Sequence, residues 1–376
     1  MTAIDDAVAA TPVVRGSSLW TEARHRLMRN RAAVVGLVVL ALIAALAVIG
    51  PLVSPHDYDK VYSDYVKVGP GLAAHPSPEQ AQELARKTAS RMRAQVDAIE
   101  PVGDGLRISL SATRPIDDRL AVYFDRSDAF ANTRVIEKAD EGRKLVIETT
   151  IEHAYFPFGT DANGRDMATR ILIGARISLA IGLLASFVAL IIGVTWGATA
   201  GYLGGRIDNL MMRIVDILYS LPFIFFVIML VVFFGRNFVL MFLAVGAVEW
   251  LDMARIVRGQ TLSLKRQEYV QAAEAMGVDT LGILKRHIIP NTLGTVIVFL
   301  TLLVPRVILI ESFMSFLGLG VQEPLTSLGV LIAEGAKSLQ EAPFLLIFPS
   351  VILVGMLFSL NFIGDGLRDA LDPKDR

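Results

Sequence analysis

A chain of 376 residues that is 53% hydrophobic and 19% charged, with a mean hydropathy of +0.52, is too apolar for an ordinary soluble protein and too charged to lie in a membrane throughout. Its 36 basic and 37 acidic side chains nearly cancel, which excludes a global field for nucleic acid. The absence of cysteine excludes disulfides, thiolate zinc sites, iron–sulfur clusters and a cysteine nucleophile.

In chain order, residues 1–31 are polar, and the apolar run after them is too long for a signal-peptide core. The reading is a cytoplasmic tail leading into an uncleaved first transmembrane helix at 32–55. Crossing about 30 Å of hydrocarbon takes roughly 20 helical residues, and Ala32 to Pro55 carries no formal charge. Residues 56–157 then break the membrane pattern with 17 acidic and 14 basic side chains, and are read as a small extracytoplasmic α+β domain inserted between spans. Ser77-Pro78-Glu79-Gln80 has the form of a capping box and predicts a helix to about Ile99. Period-two alternation predicts strands through Leu106, Ile108 and Leu110, through Leu120, Val122 and Phe124, and through Leu145, Ile147, Thr149 and Ile151. His56, His75 and His153 are isolated and read as surface residues. The insert has either a purely structural role or a docking surface for an extracytoplasmic partner.

Ile177 to Gly205, Ile217 to Gly235 and Ala342 to Gly364 are charge-free runs long enough to span; Asn237 to about Arg255 and Asn291 to about Gly320 are apolar runs interrupted by charge. The total is six helices in an all-α polytopic membrane protein, with both termini on one side. Lys and Arg choose that side. They crowd the N-terminal tail (Arg15, Arg24, Arg26, Arg29, Arg31), the second-to-third connection (Arg206, Arg213), the fourth-to-fifth connection (Arg255, Arg258, Lys265, Arg266, Lys285, Arg286) and the C-terminal tail (Arg368, Lys374, Arg376). The opposite flanks hold Arg236 and Lys337, so both termini and the fourth-to-fifth connection are cytoplasmic. The fifth-to-sixth connection, rich in Gly and Pro yet half apolar, reads either as a short re-entrant or interfacial segment or as an ordinary surface loop.

Residues 268–291 form a charged, Ala-rich helix-turn-helix. Tyr269 to Met276 favours helix, Gly277 ends it, Asp279 caps a second helix running toward His287, and Pro290 stands where the next span begins. The small Ala272, Ala273 and Ala275 would let the first helix lie closely in a groove on a partner; resting on the lipid surface is the alternative. Intramembrane charge is costly and usually faces a cavity or a partner. Glu249, Asp252, Arg306 and Glu311 are therefore candidates for a translocation path, with Glu311 the strongest. For Asp252 the simpler reading is a pair with Arg255 three residues on.

Gln271-Ala272-Ala273, followed by Gly277 and Pro290, resembles the EAA motif of ABC importer permeases. FGTDANGRDMATRILIGARISL, WLDMARIVRGQTLSLKRQEYVQAAEAMG, RHIIPN, ESFMSFLGLG and NFIGDGLRDALDPKDR resemble blocks of the oligopeptide permease C subunits, in the dipeptide/oligopeptide/nickel branch. The resemblance covers residues 158–376. It implies the type I ABC importer permease fold, with coupling helices at 262–290 and coupling residues Gln271, Ala272, Ala273, Met276, Gly277, His287, Pro290 and Asn291. It also implies a bacterial inner-membrane location and, as partners, a second homologous permease subunit, two ATP-binding subunits, an extracytoplasmic peptide-binding protein and membrane lipid. ATP and Mg would be used by those ATPases, with no cofactor, metal or catalytic residue on this chain; Gly335-Ala336-Lys337-Ser338 lacks the earlier glycine of a phosphate-binding loop. Three departures stand out: Gln271 where the motif has Glu, His287 where the general pattern is aliphatic, and an insert longer than the family's short segment. A permease for dipeptides, nickel or another small solute, and a membrane receptor sensing through residues 56–157, are the alternatives.

Overall fold

The computed structural model describes residues 19–116, 121–235 and 238–371. Expectations placed on Arg15, Leu120, Arg236, Lys374 and Arg376 lie outside the described residues. Helices α1 (Leu19–Arg29) and α2 (Arg31–Val53) are separated by Asn30 alone, whose side chain accepts a hydrogen bond from the Ala33 amide at 3.2 Å and caps α2. Pro51 lies inside α2 and, having no N–H, leaves the Ala47 carbonyl without its helical donor. Arg176 replaces that donor: its Nε reaches Ala47 O at 2.9 Å and its terminal nitrogen Val48 O at 3.1 Å.

Between α2 and the next long helix come β1 (Ala74–His75), α3 (Pro78–Arg91), β2 (Gln95–Val102), β3 (Gly105–Ser111), α4 (Ala121–Asp125), β4 (Phe130–Ala139), β5 (Lys144–Ile151) and β6 (Ala154–Tyr155). β2 to β5 form one antiparallel sheet in the order β2-β3-β5-β4, and β1 pairs with β6. The capping box is present as expected, but α3 ends at Arg91, well short of Ile99, because the chain turns at Arg93 (φ +58) to begin β2. Strands β3 and β5 are as predicted. Val122 and Phe124 are helical instead, with Phe124 buried against Phe130. His56 is buried, not a surface residue. Its Nε2 donates to the Tyr155 carbonyl at 2.9 Å, its Nδ1 takes the Tyr62 hydroxyl at 2.6 Å, and its ring stacks on Phe156.

The remaining helices are α5 (Met167–Leu203), α6 (Gly205–Ser220), α7 (Phe223–Phe234), α8 (Phe238–Leu264), α9 (Glu268–Ala275), α10 (Thr280–Ile283), α11 (Ile289–Phe316), α12 (Leu328–Lys337) and α13 (Phe344–Leu371). Among the described residues four helical stretches are long and apolar enough to cross a membrane: Arg31–Val53, Met167–Leu203, Thr280–Phe316 and Phe344–Leu371. The expected straight span from Ile217 to Gly235 is not one helix. The chain breaks at Leu221-Pro222, and α6 and α7 meet at 84°, since proline lacks the donor and holds the preceding residue extended.

Helix α5 starts at Met167, ten residues before the predicted Ile177. Asp166 caps it through the Thr169 amide at 2.7 Å. The buried Asp161 accepts from the Asn163 and Arg165 amides, each at 2.8 Å, from Arg165 Nε at 2.8 Å, and from Arg170. Arg165 also reaches Glu323 at 2.9 Å and Arg170 approaches Glu334 of α12 at 3.5 Å, so the start of α5 is tied to the connection after α11. Burial pushes the Asp161 carboxyl up, but the Arg170 charge and the bonds from Arg165 outweigh it and hold it below the ordinary carboxylate range.

Further along, Gly193, Gly197 and Gly201 form one row of α5 against α8. A Cβ on Gly193 would stand 2.5 Å from Met253 Cβ, one on Gly201 2.9 Å from the Arg258 carbonyl, and one on Gly197 would run into the Ala254 carbonyl with Val257 Cβ at 3.0 Å. Only glycine permits this backbone approach. Gly197→Ala should lower stability by about 1–3 kcal/mol through overpacking, read as an earlier thermal transition in detergent. Gly259→Ala, on α8 with nothing within 4 Å of its Cβ position, should be neutral or slightly stabilising. Asp161→Asn should cost about 3–5 kcal/mol at neutral pH by leaving buried arginines without their carboxylate. Asp161 is held low, so its stabilisation is present above the ordinary carboxylate value of about 3.9 and is lost as pH falls through the lower folded value. The gap between variant and wild type should accordingly close in acid melting curves.

Candidate coupling surface and intramembrane charges

Helix α9 ends in a Schellman turn. The Val278 amide donates to Ala273 O at 3.1 Å and the Gly277 amide to Glu274 O at 3.0 Å, with Gly277 at φ +82. Asp279 then caps α10 through the Gly282 amide at 3.3 Å. The second short helix does not stop near His287 as expected: a π turn over Leu284–Ile288 carries α10 straight into α11. Pro290, in the first turn of α11, offers no amide, and Asn291 Nδ2 takes the His287 carbonyl at 2.6 Å. Asn291 therefore holds the junction from within.

The predicted coupling residues divide between two faces. Gln271, Ala272, Met276, Gly277, Pro290 and Asn291 are exposed, His287 is half-buried with its ring 6.2 Å from that of Tyr269, and Ala273 is 2% exposed. Ala273 was expected on the contacting face and is instead part of this chain's own core. It sits with Val270, Ile283, Leu284 and Ile288 against Val194, Ala198 and Tyr202 of α5 and Met253 and Val257 of α8. What α9 and α10 leave outward is Ala272 together with Tyr269, Met276 (78% exposed) and Leu281 (56% exposed). Tyr269 and Leu281 were missed in the sequence reading. Their signal was apolar side chains on a segment whose charge places it between spans.

The four candidate path residues separate as well. Arg306 of α11 lies 3.0 Å from Asp252 and 3.6 Å from Glu249 of α8, with half of its side chain exposed. Asp252 is thus paired across helices and not with Arg255, which binds Asp216 at 2.9 Å and lies over the Tyr219 ring. Glu311 lines no open surface of this chain. It is fully buried and accepts from three hydroxyls: Ser327 at 2.6 Å, Ser315 at 2.8 Å and Ser178 at 3.2 Å. Ser327 in turn caps α12 through the Val330 amide at 3.1 Å, and Ser178 takes the Leu328 amide at 3.2 Å. The carboxylate joins α5, α11 and α12. The connection containing α12 is no ordinary surface loop, since Leu328 and Leu331 are buried.

A family model described as binding-protein-dependent transport system inner membrane component matches residues 189–376, and one described as the N-terminal TM domain of oligopeptide transport permease C matches residues 18–76. The chain is 44% identical to the oligopeptide transport system permease protein OppC of Escherichia coli over 96% of its own length and 94% of that protein. It is 41% identical to OppC of Haemophilus influenzae over 96% and 91%, and 46% identical to the dipeptide transport system permease protein DppC of Bacillus subtilis over 58% and 69%. The two family models leave residues 77–188 unmatched, a stretch that holds most of the segment between α2 and α5.

Glu311→Gln keeps one acceptor but sets an amide donor against the surrounding hydroxyls. It should destabilise by about 1–3 kcal/mol, seen as a lower melting temperature. Ser315→Ala, which removes one donor and leaves the other two, should cost less.

Proposed function

We propose, from the premise that this chain belongs to the binding-protein-dependent inner membrane transport components and to their oligopeptide permease C branch, that it provides half of the translocation path of an oligopeptide importer. Family membership removes the receptor reading. The chain is a permease subunit of an ABC importer, and the proposal extends to its cargo, partners and orientation. On this reading it pairs with a second permease subunit, receives peptide from an extracytoplasmic binding protein, and takes its motion from two ATPases that consume ATP and Mg. Both termini and α9–α10 face the cytosol, and residues 56–157 face outward, as the arginine-rich flanks support.

The observation that carries the proposal is the coupling segment itself. A Schellman turn joins two short helices, one continuous with a long helix, and Tyr269, Ala272, Met276 and Leu281 are left outward. Helix-in-groove docking needs such an apolar, small-residue face. The inner face is packed on α5, α8 and α11, so displacement of the docked helices would carry those helices as a body. The Glu249–Asp252–Arg306 group, spanning α8 and α11 with Arg306 half exposed, is the part of the charge set suited to line the path.

The test separates the two faces. Met276→Asp with Leu281→Asp should reduce co-purification of the ATPase subunits tenfold or more, since a central apolar contact is commonly worth over about 1 kcal/mol, and should abolish uptake of labelled oligopeptide while the melting temperature is unchanged. Ala273→Leu should act on stability, by about 1–3 kcal/mol. Retained ATPase association and uptake in the double variant would sink the proposed surface.

A further inference from the structure

Helix α1 carries a charged face whose Arg24 and Arg29 make no ion pair among the described residues. Its inner side is apolar: Ala23 is buried, and Leu27 lies 3.1 Å from the position a Cβ would take on Gly366 of α13. Its outer side presents Arg24, His25, Met28 and Arg29, all exposed, and Arg31 follows one residue beyond Asn30. Arg26 pairs with Glu22 at 3.0 Å. Among the described residues Arg24, Arg29 and Arg31 have no carboxylate partner, although α13 exposes Asp365 and Asp369 nearby. About three turns of helix carry Arg24 and Arg29, and Arg31 follows at the start of α2, at a cost in mutual repulsion that an opposing anion would relieve.

Two sequence boundaries and the contact between them set the depth of this face. The uncharged run of α2 begins at Ala32, immediately after Arg31, and the uncharged run of α13 ends at Gly364, immediately before Asp365. The two boundaries touch: a Cβ on Gly366 would stand 2.5 Å from Ala33 Cβ. Helix α1, pinned between them, lies where hydrocarbon gives way to headgroups. Met28, 55% exposed between Arg24 and Arg29, suits the boundary between acyl chain and headgroup.

We propose that the outer face of α1 is a binding site for acidic phospholipid, with Arg24 and Arg29 holding the headgroup phosphate and Arg31 contributing charge. A guanidinium fork matches the two free oxygens of a phosphodiester in bidentate fashion. The net negative headgroup supplies a counter-charge to arginines that no carboxylate pairs among the described residues. The site does not depend on what the permease carries.

The test uses the whole importer, purified and titrated with phosphatidylglycerol or phosphatidylcholine, with bound lipid counted by native mass spectrometry. Each arginine near an anionic surface is worth about a five-fold change in affinity, so Arg24→Gln with Arg29→Gln should weaken phosphatidylglycerol binding about 25-fold. Arg24→Lys with Arg29→Lys should keep most of it, and raising salt should narrow the difference. Both positions are exposed, and an unchanged melting temperature will confirm that the Gln pair folds. Equal binding of the two lipids by the wild type would overturn the proposal. So would unchanged phosphatidylglycerol binding in the Gln pair, or loss of the ATPase subunits with lipid binding intact, which would assign the face to a protein.

Discussion

The close approach of α5 to α8 is the contact on which the remaining architecture depends. Three glycines spaced four residues apart bring the two backbones together, and van der Waals packing of that kind is the main attraction available between helices in hydrocarbon, where burying apolar surface gains nothing over lipid. Everything placed toward the C-terminal ends of the pair follows from it. Trp196 and Trp250 meet edge to face at 5.3 Å, Arg258 forks onto Asp208 at 2.6 and 2.7 Å, and Lys265 reaches back to the Tyr202 carbonyl at 2.6 Å. The core beneath α9 draws Val194, Ala198 and Tyr202 from one helix and Met253 and Val257 from the other. A bulkier row on α5 would separate the two halves of that floor.

A second constraint is that polar groups among apolar helices need partners, and at three places this chain supplies them by long-range pairing. Arg176 serves the carbonyl that Pro51 releases from α2. Three serines on three segments serve Glu311. Arg165 and Arg170 converge on Asp161 while reaching Glu323 and Glu334. Each cluster ties segments far apart in sequence, so each acts as a register mark: a one-turn slip of α5 against its neighbours would strand several of these groups at once.

This explains which parts of the molecule were legible in the amino-acid sequence. Charge-free runs identify α2 and α13 because hydrophobic length is a local property. The Leu221-Pro222 break was written in the same apolar run that suggested a single span, and the chemistry of proline outweighed hydropathy. Strands β3 and β5 showed their alternation because they are central and one face is buried; β2 and β4 lie at the edges of the sheet, are mostly exposed and carry register shifts, so their pattern was faint. The glycine row was visible but unread, since what it packs against lies some sixty residues on. For Glu311 the sequence showed a charge in a span and could not show that hydroxyls from α5 and α12 enclose it.

The paired alanines of the proposed coupling segment illustrate how one motif can answer two demands. Adjacent residues on a helix point about 100° apart, so Ala272 and Ala273 cannot both face one partner. Ala273 is small because α9 sits down on the α5–α8 floor; on the proposed reading, Ala272 is small so that the outer face can admit a docked partner. A small pair is therefore a thickness requirement on both sides of a thin helix. Without bulk inward, the helix lies close to the spans it would move, and without bulk outward, it lies close to whatever moves it. Gln271, exposed and bonded only weakly to the Arg266 carbonyl at 3.4 Å, adds little to either fit. The absence of a carboxylate at this position is consistent with a coupling surface whose specificity comes from shape, with Tyr269, Met276 and Leu281 setting its relief.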